Sequence, residues 1–279
     1  MTAPALLDPA TNAEQVRKAF SAQAPFFDAY ESSNPVLAWM RRQVYAHEEE
    51  FLTPGASILE LNAGTGIDAV HFAGMGHSVF AIDNAEGMLA ELEKKMLGRG
   101  LGDRIEFKRL SYTDLDALPD RRFDHVFSNF GGLNCVPDLR PIARQLPRHL
   151  KPGATVTMVI MPRICPWELL HSATGNFRLA FRRLSKKGST ANVEGVRFQA
   201  YYFSSREVLA SFGPEFSLAR LRGLASVSPP PHMVPFVRKR PSLYNVLTRI
   251  DERLSTIPPF DRWADHFILT LRYSPSSRK

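Results

Sequence analysis

Cysteine is scarce in this sequence. The 279 residues include two cysteines, Cys135 and Cys165, with no CxxC pair and no cluster of histidine and cysteine at the spacing of metal ligands. A disulfide scaffold or a structural zinc site needs more ligands than this. We therefore predict neither, and we expect no bound metal.

Long apolar runs are also missing. No stretch approaches the roughly 20 apolar residues that a membrane span needs, and the opening MTAPALLDPATNAEQ lacks the basic and apolar blocks of a signal peptide. The phosphate-binding pattern GxxxxGK[ST] is absent as well, which argues against a P-loop nucleotide hydrolase. We expect a cytoplasmic protein with no membrane span.

The sequence does contain enough apolar material for a large core, together with an excess of positive charge. Apolar residues make up 44% of the chain, and the formal net charge is +7. Much of this charge lies in RLAFRRLSKK at 178–187 and VRKRP at 237–241. Such runs are commonly solvated surface. A nucleic acid or an acidic lipid is the alternative interpretation.

Strands and helices alternate from residue 57 onward. Short, nearly continuous apolar strands such as ILEL and TVTMVIM are separated by helical segments such as AEGMLAELEKKML. This rhythm is typical of a parallel sheet that is covered on both faces. The sequence therefore predicts an α/β fold with a doubly wound, mostly parallel sheet.

Two helices are predicted ahead of that sheet. The first follows a capping box that runs from Thr11 to Glu14. The second starts at Asn34 and Pro35, a capping residue followed by the proline that suits the first helical position. We assign residues 1–50 to an N-terminal helical cap and residues 51–279 to the main domain.

Two long excursions interrupt the pattern late in the chain. They span about 162–198 and 229–264 and are rich in Phe, Trp, Tyr and Pro. Long connections inside compact domains are usually lids or binding loops. We predict that both are substrate-lid insertions, and that FSLARLRGLASV and DHFILTLRY are later strands of the sheet.

A glycine turn follows the first strand, in SILELNAGTGIDAV at 57–70. Gly64 and Gly66 let the backbone turn tightly and approach a ligand without a Cβ in the way. Asp83 ends the second strand, 19 residues beyond Gly64, where a carboxylate can accept hydrogen bonds from both hydroxyls of a ribose. Together these features predict a nucleoside site at the carboxyl ends of the strands.

Two nucleoside ligands compete for this turn. Gly64 to Ala69 satisfies the dinucleotide pattern GxGxxA, so an NAD(P)-binding oxidoreductase is one interpretation. Glu60, at the end of the first strand, is an awkward neighbour for a pyrophosphate. Its carboxylate better suits a ligand with positive charge and no phosphate, and S-adenosylmethionine (SAM) is such a ligand.

Several segments between about residues 50 and 162 resemble the class I SAM-dependent methyltransferases. ELNAGTG is similar to their first motif, ExGxGxG, and FAID to their second; NAEGML, FDHVFSNFGGLNCV and LKPGATVTMVI resemble later segments in the same order and spacing. The resemblance implies a Rossmann-like methyltransferase fold of seven strands, the last of them antiparallel. It also implies SAM as the cofactor and S-adenosylhomocysteine (SAH) as its product.

The resemblance further implies a set of cofactor-binding residues. Asp83 would hold the ribose, and Met88 would lie near the adenine. The full predicted set is Tyr30, Glu60, Asn62, Ala63, Gly64, Thr65, Gly66, Asp68, Asp83, Asn84, Met88, Ser111, Tyr112, Asn129, Phe130 and Gly131.

The chain departs from the family pattern at two places. Asn62 stands where relatives have the first glycine of the motif; asparagine tolerates a positive φ better than most residues. Ser111 and Tyr112 stand where relatives often keep an acid for the adenine amine, with Asp114 three residues beyond Ser111. We expect Ser111 or a backbone group to take that role and Tyr112 to cover the ring.

The acceptor side has weaker signals. APFFDAYE resembles a segment that caps the cofactor, so Phe27, Tyr30 and Arg41 are candidate contacts, with a packed aromatic helix face as the alternative. His171 and His232 lie in the insertions and are the predicted general bases, because histidine titrates near neutral pH. A surface or packing role is the alternative for each. His125 lies inside the fourth strand and is predicted to be a packed residue.

The aromatic insertions suit a small, lipophilic or ring-bearing acceptor. We predict transfer of a methyl group from SAM to such a molecule, first to oxygen and next to carbon or nitrogen. A nucleic-acid methyltransferase is an alternative that only the charge favours, since SNFGG lacks the prolines of the (N/D/S)PP(Y/F) motif; nucleic acid is not an expected partner. A non-catalytic scaffold is a further alternative, and the oligomeric state cannot be inferred.

Overall fold

The computed structural model describes residues 7–275, which contain nine strands and ten α-helices. The strands are β1 (Ser57–Leu61), β2 (Ser78–Asp83), β3 (Ile105–Arg109), β4 (Phe123–Ser128), β5 (Leu150–Ile160), β6 (Ser189–Val193), β7 (Val196–Ala200), β8 (Phe216–Leu224) and β9 (His266–Tyr273). The helices are α1 (Pro9–Ser33), α2 (Pro35–Glu48), α3 (Ile67–Gly74), α4 (Glu86–Gly98), α5 (Arg140–Gln145), α6 (Pro166–Leu169), α7 (Phe177–Ala180), α8 (Ser205–Ser211), α9 (Val234–Lys239) and α10 (Pro241–Leu254).

Seven of these strands form one sheet in the order β3-β2-β1-β4-β5-β9-β8. Strands β1 to β5 pair in parallel, whereas β9 runs antiparallel to both of its neighbours, β5 and β8. The predicted α/β fold with seven strands and an antiparallel last strand is confirmed. The strand order reverses at β1 and β4, and a crevice for a ligand forms where their carboxyl ends separate.

The central strands are buried on both faces. Ile58 and Leu59 are neighbours on β1 and point to opposite faces, yet neither is exposed to solvent. Each belongs to a different apolar cluster, one on each side of the sheet. This explains why β1 is nearly continuously apolar in sequence, as strands covered by helices on both faces are.

Two helices precede β1, as the sequence predicts, but the start of the first one differs. Asp8 caps α1 by accepting hydrogen bonds from the backbone N–H groups of Ala10 and Thr11. The capping box predicted at Thr11 is therefore wrong, because Thr11 already lies inside the helix. Asn34 caps α2, as predicted.

The helix α1 is held against the rest of the molecule by close polar contacts. The buried Asn12 side chain donates to the carbonyls of Cys135 and Gln199 and accepts from the Gln199 N–H. Further along α1, a Cβ on Gly87 would lie 2.6 Å from the carbonyl oxygen of Ser21. Gly87 thus lets α4 approach α1 more closely than any other residue would.

The two late excursions have their own secondary structure. Residues 162–198 contain α6, α7 and the hairpin of β6 and β7, and residues 229–264 contain α9 and α10. The strand predicted in RFQAYYF ends at Ala200 and belongs to this separate hairpin. The predicted strand FSLARLRGLASV is β8 of the main sheet. The division into domains and the lid function remain predictions.

No helix within residues 7–275 combines the length and the hydropathy that crossing a bilayer would require.

Candidate active site

A cavity of about 770 Å³ lies at the carboxyl ends of the parallel strands, beneath α1. Fourteen of the sixteen predicted cofactor residues line it: Tyr30, Asn62, Ala63, Gly64, Thr65, Asp68, Asp83, Asn84, Met88, Ser111, Tyr112, Asn129, Phe130 and Gly131. The other two, Glu60 and Gly66, do not line this cavity. The cofactor residues predicted from the sequence therefore lie close together in the structure, around one cavity.

The glycine turn is shaped by left-handed backbone conformations. Gly64 and Gly66 have φ values of 56° and 74°, which glycine adopts without steric cost. A Cβ on Gly66 would lie 2.6 Å from Leu92 Cγ of α4, whereas one on Gly64 would meet only Met88 Sδ, at 4.0 Å. Gly66 is thus required for packing, and Gly64 leaves the turn open to the cavity.

Asp83 binds the same turn from the end of β2. Its carboxylate accepts hydrogen bonds from the backbone N–H groups of Gly64 and Ala85, each at 2.8 Å. Burial raises the pKa of Asp83 despite these two bonds. The carboxylate lines the cavity with acceptor capacity to spare, as recognition of a ribose requires.

Glu60 is the second acid of the turn, and it has little compensation. It is buried, and its Oε2 atom has no hydrogen-bond partner among the described residues. Burial raises the pKa of Glu60 well above its usual value. A buried carboxyl of this kind favours a cationic ligand nearby and disfavours a phosphate.

Asp68, at the start of α3, is by contrast fully paired. Arg41 donates to its Oδ1 atom, Tyr45 donates to the same atom at 2.7 Å, and Asn129 donates to Oδ2 at 2.9 Å. Burial tends to raise the pKa of Asp68, but these three donors outweigh burial and lower it. The Arg41 guanidinium also lies 4.7 Å from the centre of the Phe130 ring, so this network connects α2 to the end of β4.

Asn62 has a structural explanation that the sequence did not supply. Its φ is 48°, so it does adopt the conformation of the glycine that relatives have at this position. Its side chain accepts from Ser128 Oγ at 2.6 Å and donates to the Asn129 carbonyl at 3.1 Å. Gly132 leaves room for this side chain, since a Cβ on Gly132 would lie 2.2 Å from Asn62 Cγ. Through its two hydrogen bonds, Asn62 connects the end of β1 to the end of β4.

Ser111, Tyr112 and Cys135 also line the cavity. The Tyr112 hydroxyl donates to the Gly132 carbonyl at 3.0 Å, and Ser111 Oγ shares a hydrogen bond with Thr113. Burial raises the pKa of the Cys135 thiol to about 12, so it is not a nucleophile. The predicted roles of Ser111 and Tyr112 toward adenine remain predictions.

The helix α1 forms the outer wall. Asp28 accepts from Thr65 Oγ1 at 2.6 Å and pairs with Lys95 at 2.5 Å, which fixes α1 over the glycine turn. Phe27 and Tyr30 both line the cavity, although half of Tyr30 is exposed. The helix therefore shields the cavity from solvent with aromatic side chains.

The predicted general bases do not reach the cavity. Neither His171 nor His232 is among its lining residues, and His232 is exposed at its surface position before α9. His125 is buried and bonded to Thr155 and Glu48, in agreement with a packed residue. Of the eight histidines, His266 is the one that lines the cavity.

His266 was not identified from the sequence, although a signal was present. DHFILTLRY was recognised as an antiparallel terminal strand, and the first residue of such a strand lies at the carboxyl ends of its parallel neighbours. A histidine at that position, preceded by an aspartate, therefore had to lie near the site. The roles of His171 and His232 as general bases remain predictions.

A buried charge cluster lies behind His266. Among the described residues, Cys165, Glu168 and Asp265 are close enough together to be considered as metal ligands. Arg183 donates to Glu168 and to Asp265, each at 2.8 Å, and is itself buried. The guanidinium supplies the positive charge that these carboxylates require, so the cluster fits an ion-pair network.

The fold and this cavity define a nucleoside-binding α/β protein, and comparison with known families is consistent with that class. The family described as "Methyltransferase domain" matches residues 58–153. Among curated proteins, a demethylmenaquinone methyltransferase of Clavibacter sepedonicus is 34% identical over 133 residues, which cover 47% of this chain and 52% of the relative. The chain thus spans about half the length of the curated relatives it matches.

Solved structures are similar over nearly the whole chain. A Burkholderia thailandensis 1,6-didemethyltoxoflavin-N1-methyltransferase, bound to its substrate and SAH, superimposes with a TM-score of 0.60 at 17% identity, covering 99% of this chain and 94% of that one. The [4+2]-cyclase SpnF gives 0.61 at 17% identity, covering 94% and 97%. At these identities the likeness shows the fold alone.

Residues 58–153 thus match a methyltransferase domain, and solved structures with the same fold hold SAH. The open turn at Gly64 and the Asp83 carboxylate beside it fit a nucleoside.

Proposed function

We propose that this protein transfers a methyl group from SAM to a small, apolar, ring-bearing molecule, with oxygen as the favoured acceptor atom and carbon or nitrogen next. One observation carries the proposal: a single cavity continues from the nucleoside-binding turn to a largely apolar region around Phe130 and Met161. Ligand pockets for one drug-sized molecule span about 300–1,000 Å³. A volume of about 770 Å³ can therefore accommodate the cofactor and a small acceptor.

Each wall of the cavity has a distinct task in this proposal. Asp83, at the end of β2, holds the ribose hydroxyls. The aromatic face of α1 excludes water, which would otherwise compete with the acceptor. SAM supplies an electrophilic methyl group, so the chain mainly has to align the two reactants.

The relatives support a ring-bearing acceptor. Demethylmenaquinone methyltransferase and 1,6-didemethyltoxoflavin-N1-methyltransferase are named for substrates of that kind. The SpnF cyclase has the same fold and is named for another reaction. A role other than methyl transfer is therefore the alternative that the experiment must test. A cytoplasmic location remains a prediction.

The test measures binding first and transfer second. Calorimetry is expected to show that SAH binds and that NADH does not; the opposite result would overturn the proposal.

In three separate reactions, the protein is then incubated with SAM together with 1-naphthol, 1-naphthylamine or 1,4-naphthohydroquinone, and the products are identified by mass spectrometry. We expect a methyl ether from 1-naphthol. Binding of SAH without methylation of any ring acceptor would favour the scaffold alternative, and steeply salt-dependent RNA binding would favour a nucleic-acid substrate.

A further inference from the structure

His266 lies where an acceptor would meet the cofactor. It is the first residue of β9, and β9 is antiparallel to β5, so its start lies at the carboxyl ends of the parallel strands. Its ring packs edge-on against Phe130, with the ring centres 5.9 Å apart. Its Nε2 atom is 3.4 Å from the position that a Cβ on Gly131 would occupy, and both residues line the cavity.

The other ring nitrogen is fixed by a carboxylate. His266 Nδ1 lies 2.9 Å from Asp265 Oδ2, and Asp265 Oδ1 accepts from Arg183 Nη2 at 2.8 Å. Burial tends to raise the pKa of Asp265, but His266 and Arg183 outweigh burial and lower it. An ionised Asp265 can only accept, so Nδ1 carries a proton, and in the neutral imidazole Nε2 is the nitrogen with the lone pair.

This lone pair is not used within the protein. Nε2 of His266 makes no hydrogen bond to any residue in the range 7–275. His47 and His149, by comparison, bind a hydroxyl and a carbonyl through their Nε2 atoms. His266 thus combines a fixed tautomer with a free acceptor atom that faces the cavity, as a general base requires.

We propose that His266 is the general base for methyl transfer, that Asp265 positions it, and that the acceptor is a hydroxylated aromatic ring whose O–H proton must be removed. This inference rests on the function proposed above and narrows its acceptor class.

The step is balanced. The hydroxyl proton passes to His266 Nε2 while the oxygen forms a bond to the methyl carbon, and the carbon–sulfur bond breaks with its electron pair on sulfur. The products are a methyl ether, neutral SAH and an imidazolium that the Asp265 carboxylate stabilises.

Other charges near His266 are already paired. Arg183 binds Asp265 and Glu168 behind the ring. On the cavity side, Arg41 lies over Phe130 and pairs with Glu31 and Asp68. Asp265 is thus the carboxylate in direct contact with the imidazole, and it favours the protonated ring after transfer.

The experiment separates acceptors that need a base from those that do not. At pH 8, 4-nitrophenol is already ionised, whereas 4-methylphenol is not. His266→Gln is expected to lower kcat/KM for 4-methylphenol by about 100-fold or more and to lower that for 4-nitrophenol much less. Equal losses for the two phenols would show that His266 acts only through packing and would overturn the proposal.

A second readout does not depend on turnover. With SAH bound, 4-nitrophenol is titrated into the protein, and the absorbance of its phenolate is followed against pH. The wild type is expected to ionise the bound phenol at a pH about one unit lower than His266→Gln does. Failure of 4-nitrophenol to bind, or identical curves, would contradict the proposal.

The rival histidines are tested in parallel. His171→Gln and His232→Gln are compared with His266→Gln for the same two phenols, and transfer of the effect to either of them would overturn the assignment. SAH affinity is measured for every variant. If the wild type does not bind SAH, the proposed function itself is refuted. If SAH binds normally but His266→Gln lowers kcat/KM equally for the two phenols, only the role of His266 is refuted.

Discussion

The two halves of the cavity are assembled in different ways. The cofactor half uses turns that directly follow β1, β2 and β4, and Asp83 reaches Gly64 across only 19 residues. The acceptor half depends on contacts between distant parts of the chain: His266 at the start of β9 packs against Phe130, and Arg183 binds Asp265 behind it across 82 residues. Local turns leave recognisable patterns in a sequence, whereas long-range pairs do not.

The halves also differ in how they treat negative charge. In the cofactor half, burial raises the pKa values of Glu60 and Asp83, and one Glu60 oxygen lacks a partner. In the acceptor half, Arg182 and Arg183 outweigh burial and lower the pKa of Glu168, and His266 and Arg183 do the same for Asp265. The carboxyls of the cofactor half therefore lack cationic partners, whereas those of the acceptor half are paired within the protein.

Breaking the ion-pair network of the acceptor half should give the largest effect. Arg183→Leu leaves Asp265 buried without its guanidinium and leaves Glu168 with Arg182 alone, so the free energy of unfolding at pH 7 should fall by about 3–5 kcal/mol. Asp265 then becomes more costly to ionise and takes up a proton more readily in the folded state, so the deficit should shrink as the pH is lowered. Denaturant unfolding at several pH values measures both effects.

Arg182→Leu is the matched control. Arg182 is partly exposed and also binds Glu168, but it leaves the bond between Arg183 and Asp265 intact. Its loss should cost about 1 kcal/mol or less. Equal losses for the two variants would mean that the buried network is no more important than a surface pair.

The cofactor half should respond in affinity. Asp83→Ala removes the carboxylate expected to accept from both ribose hydroxyls, and charged hydrogen bonds contribute about 1.5–3 kcal/mol each. SAH affinity should therefore fall roughly 100-fold or more. Calorimetry measures it, with Glu93→Ala, an exposed acid on α4, as the control. Unchanged affinity would show that the ribose lies elsewhere.

Asp83 also accepts hydrogen bonds from Gly64 and Ala85, so its replacement can destabilise the fold. The free energy of unfolding of each Asp83 variant is therefore measured together with its SAH affinity. Asp83→Asn keeps the shape and an acceptor oxygen, so it should lose less affinity than Asp83→Ala. A loss of stability without a loss of affinity in either variant would assign Asp83 to the turn alone.

The contrast between the halves also explains what could be predicted from the sequence. The alternating strands, the turn at Gly64 and the acid at Asp83 follow from local patterns, and the structure brings these residues together. The antiparallel strand predicted at DHFILTLRY already places His266 at the carboxyl ends of its neighbours, but the contacts of its ring with Phe130 and Gly131 depend on how β9 lies between β5 and β8, which the sequence does not show. His171 and His232 were predicted because they lie in the insertions and histidine titrates near neutral pH, and neither reason determines where an insertion folds back.

Asn62 is an intermediate case. The sequence shows that it replaces a glycine of the family's motif, but it does not show what the Asn62 side chain contacts. Asn62→Gly keeps the positive φ at no cost but removes the bonds to Ser128 Oγ and the Asn129 carbonyl. A net loss of about 1–2 kcal/mol in the free energy of unfolding is expected. The double variant with Ser128→Ala should lose less than the sum of the two single variants, because both remove the same hydrogen bond. Greater stability of Asn62→Gly would instead mean that backbone strain at φ 48° outweighs the bonds and that Asn62 is retained for the ligand.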